Sequence, residues 1–268
     1  MLGDILIAFS VVTLAGLVLG ILLALAAHFL FVKEDETVIR VRECLPGVNC
    51  GACGFTGCDE YAKALAGGGV KTNLCIPGAD AVAAKVAEIL GVAAEDVVEK
   101  TAYVHCNGNC NVTTKKVNYE GINTCLASSM LYGGPDTCRY GCLGCGDCAK
   151  VCPVGAICVK DGVAHVDSRI CIGCGMCVKT CPKHIIELVP QTAKTVVMCS
   201  SKDKGAVARK ACKNACVACE KCEINCPENA IVVENNISVI DYSKCTSCGK
   251  CAEVCPTHCI KTVKASVS

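Results

Sequence analysis

The longest apolar stretch of the chain covers residues 5–32, where 28 consecutive residues include no Asp, Glu, Lys or Arg. A helix of about 20 apolar residues is long enough to cross a bilayer. A cleaved signal peptide is the alternative, because Ala24, Leu25 and Ala26 form a small-x-small sequence. However, no Lys or Arg precedes the stretch, which also exceeds the usual signal core of about 7–15 residues. The pattern therefore predicts a single transmembrane anchor over residues 1–33, surrounded by membrane lipid.

Beyond the anchor the apolar pattern breaks into short pieces. Residues 59–66 and 79–90 predict two short helices, the second with a small apolar face. Residues 163–167 and 237–241 are rich in Val and Ile and predict short strands. These pieces are too short to enclose a large core of their own.

Composition changes this picture, because 29 of the 268 residues are cysteine. Cysteine above roughly 8–10% is typical of disulfide scaffolds or metal proteins. Disulfide scaffolds are usually secreted and shorter than about 100 residues, whereas this chain is longer and its cysteine number is odd. Metal–ligand bonds can supply the folding energy that a thin apolar core lacks. The net charge of +1 offers no basic surface, so nucleic acid is not an expected partner.

The first group of cysteines lies on a glycine-rich loop within residues 34–100. Cys50, Cys53 and Cys58 can converge on one inorganic cluster there, because glycines permit tight turns and present backbone N–H groups to anionic sulfides. Cys75 supplies a fourth thiolate from a neighbouring loop. Zinc is one alternative, although zinc ligands usually come in two pairs. The spacing also leaves a 2Fe–2S centre open.

The spacing C-x2-C-x2-C-x3-C-P occurs four times and is the strongest signal in the chain. It is the bacterial ferredoxin spacing, in which three cysteines bind one 4Fe–4S cluster and the fourth binds the partner cluster. We therefore predict ferredoxin-like domains over residues 138–190 and 212–268, preceded by a connecting segment at 101–137 and a linker at 191–211. The predicted ligand sets are Cys142, Cys145, Cys148 and Cys181; Cys152, Cys171, Cys174 and Cys177; Cys216, Cys219, Cys222 and Cys255; and Cys226, Cys245, Cys248 and Cys251.

The two ferredoxin-like domains are a duplication with a fixed offset of 74 residues. The offset also extends upstream of the motifs. It relates Cys125 to Cys199, Cys138 to Cys212, Cys142 to Cys216, and Cys181 to Cys255. The predicted fold class is thus α+β: a transmembrane helix, a small mainly helical 4Fe–4S domain, and two tandem modules that each bind two 4Fe–4S clusters.

Five 4Fe–4S clusters use 20 cysteines and leave nine. Cys158 and Cys259 lie in strand-like apolar contexts and are predicted to pack in the interior. Cys138 is an alternative to Cys145 as a ligand, and Cys212 creates the same ambiguity in the second repeat. A sixth Fe–S centre is a further hypothesis, with free or packed thiols as its alternative. Its ligands would be Cys106, Cys110, Cys125 and Cys138.

The order of these features resembles a known family. An anchor, the sequence ECLPGVNCGACGFTGC at residues 43–58, a distant Cys75 and double-cluster repeats resemble the B subunits of the Rnf complexes, the ion-translocating ferredoxin:NAD⁺ oxidoreductases of bacterial membranes. Residues 119–125, residues 138–144 and the second repeat resemble the longer, clostridial-type members. Many of those members lack a cysteine at the position of Cys145, which favours Cys138 as a ligand. The resemblance implies a 4Fe–4S first centre, reduced ferredoxin as electron donor, and other membrane and peripheral subunits as partners.

The chemistry predicted for this chain is electron transfer alone. No G-x-G-x-x-G motif follows a strand, residues 67–72 lack the phosphate-loop spacing, and the apolar stretch carries no charge to move an ion. No catalytic residue is therefore predicted, and NAD⁺ or flavin chemistry belongs to partners. We expect a single pass through a bacterial inner membrane. The Fe–S domains should lie on the cytoplasmic side, because reduced thiolates and assembled clusters persist there. A stand-alone, membrane-tethered polyferredoxin is the alternative function.

Overall fold

The computed structural model describes residues 2–29 and 35–263. Helix α1 spans Leu2–Phe29. Within it, Phe9–Ala26 is long and apolar enough to cross a membrane by length and composition, and none of this window is buried against the protein. The final residues of the predicted anchor, 30–33, lie outside the described residues.

A small helical domain follows, built from α2 at Glu36–Cys44, α3 at Cys58–Ala66 and α4 at Ala79–Leu90. The Asp35 side chain caps α2 by accepting a hydrogen bond from the Thr37 N–H. Val41, Tyr61 and Val86 are fully buried where the three helices meet. Both helices predicted from the sequence are thus confirmed.

The first ferredoxin-like module, which we define as Lys100–Pro190, contains two small antiparallel sheets. One pairs β1, Lys100–Val104, with β4, Ile186–Pro190, and the other is the hairpin of β2 and β3. The intervening elements are α5 at Cys125–Met130, α6 at Asp147–Lys150, β2 at Ile157–Lys160, β3 at Val163–Val166 and α7 at Met176–Thr180.

The second module, which we define as Thr195–Thr262, repeats this plan. Strand β5, Thr195–Val197, pairs with β8, Ile260–Thr262, and β6 pairs with β7. The predicted strands at 163–167 and 237–241 are confirmed as β3 and β7. The segments predicted as connection and linker supply β1 and β5, so each contributes to its module's sheet. The remaining elements are α8 at Gly205–Ala211, α9 at Lys221–Ile224, β6 at Ile231–Glu234, β7 at Ile237–Ile240 and α10 at Lys250–Glu253.

Strand pairing shows where the 74-residue offset ends. Ile186 and Ile260 are 74 residues apart, yet their strand partners Val104 and Val197 are 93 residues apart. The first module therefore contains an insertion between β1 and its first motif. Upstream of the first motif, two cysteines that are 74 residues apart therefore need not occupy corresponding positions in the two modules.

The cluster-binding loops share a backbone conformation. In each motif, the residue before the second cysteine has a left-handed φ of 52–71°. At Gly173 a side chain would also collide with the Lys100 carbonyl, so the glycine lets this loop lie directly against β1. These positions are Gly144, Gly173, Ala218 and Ser247.

Candidate metal centres

The first centre, defined as Cys50, Cys53, Cys58 and Cys75, lies in the helical domain. The Asn49 side chain accepts a 2.8 Å hydrogen bond from the Cys58 N–H and fixes the loop at the start of α3. A Cβ at Gly78 would lie 3.1 Å from the Cys75 sulfur, so the glycine lets its backbone N–H reach that sulfur.

Burial governs the protonation of this first centre. It raises the pKa of the Cys75 thiol to about 11, and the thiols of Cys58, Cys50 and Cys53 raise it further. Without a bound cluster, Cys75 is therefore a neutral thiol. Cluster assembly would release its proton as iron binds the thiolate.

The second centre, defined as Cys152, Cys171, Cys174 and Cys177, sits in the first module. Backbone N–H groups point at its sulfurs: Ala102 donates to Cys171 at 3.4 Å and Ala156 donates to Cys152 at 3.3 Å. Burial raises the pKa of Cys177 to about 11, and the thiols of Cys171, Cys174 and Cys152 add to this. The structure thus brings these four predicted ligands together.

The third centre is defined as Cys142, Cys148 and Cys181 with one further thiol. These three line a cavity together with Cys125, whereas Cys145 is not part of the cavity lining. The Cys145 thiol is directed toward the Leu143 carbonyl at 3.6 Å and lies within hydrogen-bonding reach of Cys125.

Cys125 is a candidate ligand of the third centre, whereas the sequence suggests it only as a ligand of a sixth centre. The Asp147 carboxylate accepts a 2.7 Å hydrogen bond from the Cys125 N–H and holds it at this site. Cys138, the predicted alternative to Cys145, instead lines a different cavity. The family resemblance described for the sequence favours an upstream ligand in place of Cys145. Nearness in sequence favours Cys138 for that role, whereas the fold places Cys125 there.

The second module carries two further cysteine groups. The cysteines of the fourth centre line one cavity, and those of the fifth centre line another. Cys212, the predicted alternative in this repeat, lines neither cavity. The fourth centre is defined as Cys216, Cys219, Cys222 and Cys255, and the fifth as Cys226, Cys245, Cys248 and Cys251.

Cys259 is buried against the fourth centre, as predicted for a packing residue. Its sulfur lies 3.6 Å from that of Cys255 and also contacts Cys216. Hydrogen bonds from the Cys259 thiol lower the pKa of Cys216 to about 5 and that of Cys255 to about 4, while they raise its own. Cys259 therefore stays protonated, and its single S–H can donate to the sulfur of Cys216 or to that of Cys255. The same prediction is wrong for Cys158, which is exposed on β2.

We expect Cys259→Ala to lower the reduction potential of the fourth centre. Hydrogen bonds to cluster sulfurs favour the more negative, reduced state. Loss of about 0.5–1 kcal/mol of net hydrogen bonding corresponds to about 20–40 mV. An EPR-monitored redox titration measures the change, with Cys158→Ala as the control. An unchanged potential, or loss of the cluster itself, contradicts the assignment of Cys259 as a donor.

Neighbouring centres are adjacent in the fold. Lys179 Nζ donates a 2.9 Å hydrogen bond to the Cys50 carbonyl and so joins the helical domain to α7 of the first module. The Cys50 thiol is close enough to raise the pKa of Cys174, although burial is the larger cause. Cys177 of the second centre acts on Cys148 of the third in the same way.

The hypothesis of a sixth centre at Cys106, Cys110, Cys125 and Cys138 is wrong as a grouping. Cys106 and Cys138 line one cavity, Cys125 lines another, and Cys110 is exposed.

Among the described residues, no group of three or more His, Cys, Asp or Glu side chains is arranged to hold a single metal ion. A single zinc ion would need four sulfurs within about 3.8 Å of one another, given Zn–S bonds of about 2.3 Å.

Comparison with protein families supports several 4Fe–4S clusters. An Fe–S cluster family matches residues 45–77, which contain the first centre. Two 4Fe–4S dicluster families match residues 141–185 and 170–231, and a 4Fe–4S binding domain matches residues 238–261. The chain is therefore an iron–sulfur protein with multiple 4Fe–4S clusters.

Similar proteins extend over most of the chain. The B subunit of the proton-translocating ferredoxin:NAD(+) oxidoreductase complex of Clostridium ljungdahlii is 43% identical over 88% of this chain and 84% of that protein. Its counterpart in the Na(+)-translocating ferredoxin:NAD(+) oxidoreductase complex of Acetobacterium woodii is 44% identical over 97% and 78%, respectively. The B subunit of the ion-translocating oxidoreductase complex of Methanosarcina acetivorans is 35% identical over 88% and 91%. This chain belongs to the same family, the B subunits of the ion-translocating ferredoxin:NAD⁺ oxidoreductase complexes, known as Rnf complexes.

Proposed function

We propose that this chain carries electrons from reduced ferredoxin to the membrane subunits of an Rnf-type complex. The two ferredoxin-like modules receive the electrons, and the first centre passes them on. The observation that carries the proposal is the contact between the helical domain and the first module, where Lys179 holds the Cys50 carbonyl and the first and second centres meet. Electrons that reach the second centre of the first module therefore need to cross only a short distance to the first centre.

The ligand assignments form part of this proposal. The first, second, fourth and fifth centres would each bind one 4Fe–4S cluster through their four defined cysteines. The third would bind a cluster through Cys142, Cys148 and Cys181, completed by Cys125 or by the motif's Cys145. Each 4Fe–4S cluster supplies a one-electron carrier when bound, and the protein sets its potential through N–H···S bonds and burial.

Helix α1 would anchor the chain in a bacterial cytoplasmic membrane with a single pass and the cluster domains on the cytoplasmic side. Helix α1 ends at Phe29 and α2 begins at Glu36, a separation that spans at most about 25 Å when fully extended. The helical domain is therefore held near the bilayer surface, within reach of membrane subunits. The ferredoxin-like modules lie further along the chain and are available to a soluble donor.

Anaerobic purification of the tagged full chain from membranes tests this function. We expect other subunits of the complex to co-purify, and reduced ferredoxin to bleach the iron–sulfur absorption of the purified material. A chain with Cys44→Ala should behave like the unmodified chain in both measurements, because Cys44 belongs to none of the five centres. A chain that always isolates alone, yet still accepts electrons, would instead identify a stand-alone polyferredoxin.

A further inference from the structure

A cavity between the two modules is lined by four cysteines that belong to none of the five centres. Its enclosed volume of about 20 Å³ equals that of the cavities at the third and fifth centres. Cys106 and Cys212 are buried, and Cys138 and Cys199 are partly buried. We call the set Cys106, Cys138, Cys199 and Cys212 the bridging site.

The bridging site is symmetric with respect to the duplication. Cys106 lies two residues after Val104 of β1, and Cys199 lies two residues after Val197 of β5, the corresponding strand. Cys106, and not Cys125, is thus the structural counterpart of Cys199. Cys138 and Cys212 each precede the first motif of their module by four residues. Each module therefore contributes the same two cysteines to one shared cavity.

Backbone N–H groups converge on these sulfurs as they do on the motif ligands. The Cys106 sulfur accepts hydrogen bonds from Gly108 N–H and Cys142 N–H, both at 3.4 Å. The counterpart sulfur of Cys199 accepts from Cys216 N–H at 3.4 Å and from the Ser201 backbone. Paired N–H donors stabilise a negatively charged sulfur, whereas a packed neutral thiol gains little from them.

The Cys138 thiol lies within electrostatic reach of the other three thiols. Burial raises the pKa of Cys106 to about 12 and that of Cys199 to about 11, and the thiol of Cys138 raises both further. Cys138 also raises the pKa of Cys212, on which burial acts more strongly. A Cβ at Gly108 would be in ordinary contact with both sulfurs, at 3.5 Å from that of Cys106 and 3.4 Å from that of Cys212, so the two sulfurs lie close to the same glycine.

Polar contacts across the module boundary hold the bridging site together. The Asn214 side chain donates to the Asn107 carbonyl at 3.1 Å, and Lys261 Nζ donates to the Asn107 side chain at 3.1 Å. Arg139 forms a 3.0 Å ion pair with Asp203. Four buried or half-buried thiols are therefore kept in place by contacts that none of the five centres requires.

We propose that Cys106, Cys138, Cys199 and Cys212 bind an additional 4Fe–4S cluster that links the two ferredoxin-like modules. Each thiol releases its proton and binds one iron as a thiolate. The site touches a ligand of the third centre through Cys142 N–H and a ligand of the fourth through Cys216 N–H. It thus links the fourth centre to the third, and through the second to the first. Its role as a link rests on the proposed function, whereas the cluster itself does not.

Iron and acid-labile sulfide content of the full chain, purified anaerobically, tests the additional cluster. We expect about 24 of each per wild-type chain, and about 20 after the double substitution Cys199→Ser and Cys212→Ser. Cys110→Ser is the matched control, because Cys110 is exposed and belongs to no centre; it should keep the wild-type content. Equal content in the double variant and the wild type would overturn the proposal. So would loss of one metal ion without sulfide.

A second variant tests the bridging site independently, in case the double variant misfolds. Cys138→Ser leaves three thiolates and an oxygen donor at the bridging site, so its cluster should remain but show a changed EPR signal and potential. The other five clusters should keep their wild-type signals, which reports an intact fold. An EPR spectrum and redox titration identical to those of the wild type would contradict the assignment. Neither readout uses ferredoxin or NAD⁺, so failure of the electron route cannot be mistaken for failure of the site.

Discussion

Substitution of Cys58 by alanine is expected to abolish NAD⁺ reduction by the assembled complex, while reduced ferredoxin still reduces the ferredoxin-like modules. Cys58 is the first residue of α3 and one of the four thiolates assigned to the first centre. Outer-shell partners of metal ligands already cost about 10–100-fold in affinity or activity when removed, so loss of a ligand should reduce NAD⁺ turnover by at least about 100-fold. Steady-state NADH formation and stopped-flow bleaching of the clusters measure the two activities separately.

Cys44→Ala is the matched control for this experiment. Cys44 ends α2 in the same helical domain and packs at the edge of its core, but it is not assigned to any centre. The control should therefore retain both activities, and both variants should co-purify with the other subunits. NAD⁺ reduction at the wild-type rate by Cys58→Ala would show that electrons leave the chain by another route.

The sequence predicts local elements well because each is determined by neighbouring residues. The helix at Ala79–Leu90 follows from its apolar face and the glycine at position 91, which takes the left-handed conformation that ends the helix. The hairpin strands β3 and β7 follow from short runs of branched residues. The pairing of Val104 with Ile186 could not be predicted, because it joins distant segments and no local pattern specifies the partner.

The same limit applies to the cysteines. Motif ligands could be predicted because a fixed spacing on one loop determines which sulfurs meet. Nearness in sequence groups Cys106 with Cys125, yet β1 directs Cys106 toward the second module, while Asp147 holds Cys125 at the third centre. The inserted segment after β1 also breaks the 74-residue offset that pairs Cys125 with Cys199 in the sequence. Only the fold shows that Cys106 and Cys199 are counterparts.

Removal of iron is expected to unfold the second module while the helical domain keeps part of its structure. Five of the nine buried residues in the main core of the second module are cysteines, and four of these are assigned ligands. In the helical domain only one of seven buried core residues is a cysteine, and Tyr61 and Leu65 fill the interior. Structural zinc sites contribute about 10–16 kcal/mol to small domains, which matches or exceeds the total stability of about 5–15 kcal/mol of a typical domain.

Hydrogen exchange measured by mass spectrometry after anaerobic chelation of iron resolves this difference by segment. Amides of β5 to β8 should exchange fully, because pairs of three- or four-residue strands are not stable without the cores that the clusters complete. Amides of α3 and α4 should remain partly protected, since both helices pack on α2 in a core that contains Val41, Tyr61 and Val86. Restoring iron and sulfide should restore protection in β5 to β8. Unchanged protection of these strands in the iron-free chain would show that the second module folds on its apolar residues alone, and that its clusters are carried by the fold without stabilising it.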